Sequence, residues 1–413
     1  MEFCRSQDQF HAHFTEYAVT IGTETMCRLR LLAVGLVCFC AGGLYGWSAL
    51  IAPLQATFSV SAAQAGLVFS FAIVSFTAAV VVAPRIAPGW PALYRLALFA
   101  WAGALSLSLA PLSPTYFAFV LGFGVGFGAA SGAIYITAIA YAARSRRPLV
   151  ATPLMVATFG LGGSVFGPVW KGLATANWGL SAIWPLAGML CFAGCLAWYL
   201  AGPDTGSDTI PLVKPPQSTP AMPQKPVFGL LWLTFAFGSF GGLMVLGLAA
   251  KMLETAQASV VLISLALAGV SVGNTLGRAS VAGLAQKISP FACIYVSLII
   301  GTCGLLFALI GSGPASMTAG LCLVAAGYGV MASAIPFLTL TLYHPEHFQR
   351  QFALLLTAWG AAGFLAPWTA GALFDLTSNF DTAVLMAIGT TFACAAALQK
   401  LKARVARVEK RPE

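Results

Sequence analysis

Apolar runs about as long as a bilayer is thick recur along the whole chain, and no other feature restricts its fold as strongly. Twelve stand at roughly 29–54, 64–83, 92–111, 114–141, 149–171, 180–201, 227–250, 258–284, 291–311, 314–342, 350–373 and 382–399. A hydrocarbon core of ~30 Å takes about 20 helical residues, so each run is long enough to cross. Hydrophobic residues make up 59% of the 413 and charged residues 8%, a balance far from that of a soluble domain. The expected fold is an all-α polytopic membrane protein of twelve transmembrane helices.

Lys and Arg orient those helices, because short cytoplasmic loops hold an excess of them. With the N-terminus inside, Arg28, Arg30, Arg85, Arg95, Arg144, Arg146, Arg147, Lys214, Lys225, Lys287, Arg350 and the tail from Lys400 to Arg411 fall on one side. Only Lys171 and Lys251 fall on the other. The net charge of +9 is therefore a topology signal. Its dispersal over short loops argues against nucleic acid as a partner. Both termini are expected in the cytoplasm, at a plasma membrane of the bacterial inner-membrane kind. Residues 1–27 carry no cleavable signal peptide; they are expected as a cytoplasmic tail, and Met26-Cys27-Arg28-Leu29-Arg30 resembles a natural start.

A proline-rich polar stretch at 202–226 interrupts the pattern and reads as a cytoplasmic linker. It separates a six-helix bundle at 28–201 from another at 227–399, with a basic tail at 400–413. The halves repeat at an offset of about 200. Gly126-Phe127-Gly128 matches Gly327-Tyr328-Gly329, and Phe159-Gly160 with Gly163 matches Trp359-Gly360 with Gly363. Corresponding runs point the same way, so the repeat is parallel, with its pseudo-axis along the membrane normal. In carriers built so, substrate sits at the midplane between the halves.

Arg278 lies inside the eighth run, and no run holds an acidic residue to neutralise it; all twelve carboxylates fall in tails, loops or run ends. A cation at bilayer depth costs several kcal/mol unless it is paired or faces water. Nine residues separate it from Lys287, which places it about 13 Å deeper along a helix. The planar guanidinium matches a carboxylate with two parallel hydrogen bonds, whereas the structural alternative is an arginine tied to helix-end carbonyls. Asn274, one turn away on the same face, can donate to an anion or orient the guanidinium. Tyr328 stands where the first half has Phe127 and so adds a hydroxyl. The missing partner of Arg278 is expected to be the substrate, a small organic anion.

Several stretches resemble the monocarboxylate transporter and oxalate/formate antiporter branch of the major facilitator superfamily. They are Gly43-Leu44-Tyr45-Gly46-Trp47-Ser48 with Pro53, then Tyr141 through Arg146-Arg147-Pro148-Leu149-Val150-Ala151 with Gly160-Leu161-Gly162-Gly163, and Asn274 with Arg278 and Gly283. The resemblance implies two parallel six-helix repeats of the major facilitator fold. It adds Tyr45, on the first-helix motif, to the substrate-binding candidates. Dicarboxylate exchangers of this branch carry a Lys on segment 11, and Trp359 stands about there, as an apolar wall for the substrate's organic tail. Pro84 and Gln286 replace the Asp of the superfamily loop motif, and Asn274 stands where animal carriers have an Asp.

The resulting expectation is a secondary transporter, not an enzyme, carrying a small organic anion by alternating access. A monocarboxylate is favoured because one buried cation balances one negative charge. With no central acid and no His within the runs, coupling is expected to be either anion exchange or symport in which the proton travels with substrate and Arg278. The alternatives are an exporter of amphipathic compounds and a non-transporting sensor. No cofactor and no metal is expected: the ten Cys lack paired ligand spacing, and His344-Pro345-Glu346-His347, interrupted by proline, is expected in a loop. Membrane lipids are the other expected partner, and a monomer suffices.

Overall fold

The computed structural model describes residues 25–60, 62–201, 225–311, 313–343 and 345–409. Most of the expected N-terminal tail and linker lies outside them, as do His344 and the last four residues. The described residues contain no strand; each helix satisfies its own backbone, as a lipid environment requires.

The first crossing, α1 (25–58), tightens from α-helix into 3₁₀ geometry at Gly42–Leu50 before ending as Ile51–Phe58. Then come α2 (Ala62–Val82), α3 (Ala92–Leu109) and α4 (Tyr116–Ala143), the last widened into π-helical turns at Val120–Phe127. Next, α5 (Pro148–Leu173) and α6 (Trp184–Ala201) form one continuous 54-residue stretch by length and hydropathy. The chain reverses inside it at Asn177 and Gly179, with φ of 66° and 54°. The eleven apolar stretches therefore amount to twelve crossings. The second half comprises α7 (Lys225–Thr255), α8 (Val260–Leu284), α9 (Pro290–Ile310), α10 (Pro314–Leu342), α11 (Pro345–Thr377) and α12 (Asp381–Glu409).

Helix starts follow local chemistry. The Ser259 and Ser289 hydroxyls accept from the Leu262 and Ala292 amides at 3.3 Å, as N-caps do. Pro148, Pro290 and Pro314 take the first helical positions, where a missing N–H costs nothing. Two boundaries differ from expectation. Residues 400–409 continue α12 as helix, because Leu401 and Val405 extend its apolar face against the bundle. Glu346 and His347 open α11 instead of lying in a loop, since Pro345 begins that helix.

Within the first half α1 packs on α5, α2 on α4, and α3 on α6. The second half repeats this with α7 on α11, α8 on α10, and α9 on α12. Helices α5 and α8 join the halves on one side, and α2 and α11 on the other. Large apolar side chains such as Leu32, Phe117, Leu265 and Phe392 face outward, which suits a bundle solvated by lipid.

Candidate functional site

Arg278 is 2% exposed and sits at the seam between the halves. Its Nε donates to Asn274 Oδ1 at 3.1 Å, and one terminal nitrogen donates to the Val156 carbonyl on α5 at 3.4 Å. The first bond joins neighbours one turn apart on α8; the second crosses to the other half. Among the described residues Arg278 meets no carboxylate. It is thus tied to a mid-helix carbonyl, not to a helix end. That bond lies beyond the usual range for N–H···O, so by itself it compensates the charge only weakly.

Two tyrosine rings flank this cation, and three further aromatic rings link them. Its Cζ lies 5.8 Å from the ring centroids of both Tyr45 and Tyr328, within cation–π range. Tyr45 meets Phe159 edge-on at 5.4 Å, Phe159 meets Phe76 at 5.8 Å, and Phe76 meets Trp359 at 5.5 Å. The Trp359 indole N–H then donates to the Tyr328 hydroxyl at 2.6 Å, completing the circuit. Tyr45, Phe76 and Phe159 come from the first half (α1, α2 and α5), and Tyr328 and Trp359 from the second (α10 and α11). Tyr45 is half-buried, while Asn274, Tyr328 and Trp359 are buried.

Glycines bring these groups together. A Cβ on Gly163 would strike Tyr45, so α1 and α5 can touch at the 3₁₀ segment only without one. A Cβ on Gly329 would strike the Asn274 carbonyl, which fixes α8 against α10. At Gly160 a Cβ would lie 2.8 Å from Arg278 Cδ and 3.1 Å from Nε. The repeat partner of Gly160 is Gly360, where a Cβ would lie 2.7 Å from Thr77 Oγ1. Thr77 on α2 and Arg278 on α8 thus face matching glycines of the two halves. The same glycine niche receives a threonine in one half and an arginine in the other. One level further along the α5–α8 contact, the Ser164 and Thr275 hydroxyls lie 3.0 Å apart.

All five candidates from the sequence, Arg278, Asn274, Tyr328, Tyr45 and Trp359, meet at this one place. Phe76, Phe159, Gly160, Thr77 and the Val156 carbonyl escaped sequence reasoning. The repeat carried a usable signal for one of them, since Phe159 is the mate of Trp359.

Twelve apolar crossings in two like halves, closing on a buried cation flanked by aromatic side chains, define an integral membrane protein with a central candidate binding site. The sequence pattern of the Major Facilitator Superfamily matches residues 32–367, and the chain belongs to that family. Among solved structures, the fold resembles the crystal structure of the human organic anion transporter MFSD10 (TETRAN). The TM-score is 0.67 at 14% identity, over 90% of this chain and 99% of that one. Comparison with curated protein sequences gives no match. Membership of that family points to a transporter.

Proposed function

We propose that the chain is a secondary transporter of small organic anions, with monocarboxylates preferred, and that Arg278 holds the substrate carboxylate. The observation that carries this reading is a buried guanidinium that meets no carboxylate among the described residues, flanked by aromatic rings from both halves. A carboxylate accepting two charge-assisted hydrogen bonds would supply what the single long bond to Val156 does not. It would do so in a site where an uncompensated charge is costly. Asn274 holds Nε and thereby aims the terminal nitrogens. Trp359, Phe76 and Phe159 offer the organic tail an apolar wall. The solved neighbour MFSD10 is an organic anion transporter, which agrees with an anionic substrate.

Because Arg278 belongs to α8 while Val156, Gly160 and Tyr45 belong to the first half, substrate capture exchanges a contact between the halves for a contact with cargo. That exchange is the physical link between binding and alternating access. Toward the arginine-rich end of the bundle, α4 and α10 are buried along 128–139 and 327–340 almost without interruption, which supports a state closed at that end. The bias of Lys and Arg assigns that end to the cytoplasm. The same aromatic ring would also suit an exporter of amphipathic compounds, in which Arg278 would matter little.

Uptake by purified protein in vesicles decides between them. Arg278→Gln should abolish saturable uptake of short monocarboxylates, and Arg278→Lys should reduce it sharply, with both variants folded by thermal unfolding. Near-normal uptake by Arg278→Gln would refute the assignment. In competition, monocarboxylates should outperform dicarboxylates matched for length; stronger inhibition by dianions would mean that a second cation serves the site.

A further inference from the structure

A second site lies far from Arg278, where α12 ends beside the start of α7. A groove of about 500 Å³ opens there between the two helices. Lys400, Arg404 and Arg407 line one wall; their spacing of four and three places them on one helical face. Pro226, Leu230 and Leu233 line the other wall, which carries no charge. All three basic side chains are exposed, and none has a carboxylate partner among the described side chains. Three like charges stacked on one face repel one another, so an anion in the groove would relieve them. Higher up the two helices stay in contact, where Cys394 Sγ donates to the Thr234 carbonyl at 3.2 Å. They part at Gly229, where an added Cβ would meet nothing within 4 Å.

The groove also sits at the arginine-rich end of the bundle, level with the ends of α2, α4 and α8 that carry Arg85, Arg144 and Lys287. A wall of cations facing a wall of leucines at that depth matches a molecule with a phosphate at one end and hydrocarbon at the other. We propose that this groove is a binding site for an anionic phospholipid. Its phosphodiester lies among Lys400, Arg404 and Arg407, and its acyl chains run along Leu230 and Leu233. Lys402, roughly half a turn away on α12, takes no part. The proposal does not depend on the identity of the transported substrate.

The test uses the full chain in neutral detergent, titrated separately with phosphatidylglycerol, phosphatidylcholine and inorganic phosphate. The unfolding temperature and, by native mass spectrometry, the lipid retained are recorded. Binding to the folded state raises the unfolding temperature by mass action, and phosphatidylglycerol should do so where the other two probes do not. Each basic residue near an anionic lipid contributes about fivefold in affinity. The combined Lys400→Gln, Arg404→Gln, Arg407→Gln variant should therefore bind about a hundredfold more weakly, and Lys402→Gln should bind normally. Gly229→Leu keeps every charge but fills the groove, and should also lose the lipid. An equal shift from phosphatidylcholine, the same shift from inorganic phosphate, or full lipid retention by either groove variant overturns the proposal.

Discussion

Gly160→Ala adds a single methyl group, and its effect follows from two distances. The new Cβ would lie 2.8 Å from Arg278 Cδ and 3.1 Å from Nε, whereas carbon atoms in contact prefer about 3.5–4.0 Å. The arginine must therefore retreat by about 1 Å. Its bond to the Val156 carbonyl is already 3.4 Å and breaks under such a shift, and the guanidinium moves out of register with the aromatic ring. Where a group must be placed accurately to act, a displacement of about 1 Å can cost on the order of a hundredfold. Helix propensity works the other way, since Ala is favoured over Gly by about 1 kcal/mol inside a helix. The variant should therefore fold as well as the parent while losing between about tenfold and a hundredfold in carboxylate uptake. Gly172→Ala on the same helix is the control, because its Cβ would meet nothing within 4 Å. Thermal unfolding and initial uptake rates in the same vesicles measure both quantities. Undiminished uptake by Gly160→Ala, or an equal loss in Gly172→Ala, would refute the argument that this niche positions the guanidinium.

Tyr328→Phe strands the Trp359 indole N–H in a buried site and should cost about 1–3 kcal/mol of stability, read as a lower unfolding temperature. Trp359→Phe removes the donor and also leaves a cavity in a buried site, and should destabilise as well. Thr77→Lys places a second cation in the matching niche at Gly360 and should shift competition toward dicarboxylates; Trp359→Lys should act in the same direction. Glu254→Gln, Asp375→Asn and Asp381→Asn should each retain any uptake driven by a pH gradient. These carboxylates are exposed at helix ends, and Glu254 pairs with Lys251 at 3.5 Å. Loss in any one of them would place a titrating acid of the protein in the transport cycle.

The twelve crossings were legible because lipid demands an unbroken apolar run for each, and length alone counts them. What pattern could not show was where a helix outlasts its apolar run. Residues 400–409 turn amphipathic as they leave the bundle, so α12 looked shorter than it is. The 3₁₀ tightening at Gly42–Leu50 was invisible for another reason: it answers to the close approach of α5, a contact between distant residues. At the site, Arg278 and Asn274 stood out because a buried charge is expensive and therefore rare. Tyr328 and Trp359 stood out against their repeat mates and the family pattern. Phe76 did not, since a chain with 29 phenylalanines offers no contrast by which to choose it, and Phe159 could be reached only through its mate Trp359. Thr77 escaped because its niche at Gly360 is made by a contact between distant helices.

The poor compensation of Arg278 also has an electrical consequence. On the proposed reading, a site holding a monoanion is neutral, whereas an empty site carries one positive charge that only neutral groups among the described residues contact. Moving one elementary charge through the whole membrane field changes its energy by about 2.3 kcal/mol per 100 mV. The transmembrane voltage therefore acts on the empty carrier and leaves the loaded one nearly untouched. One-for-one exchange, in which the site is never empty while it reorients, should be indifferent to voltage. Net flux, which needs the empty return, should change when a potassium diffusion potential is imposed across the vesicle.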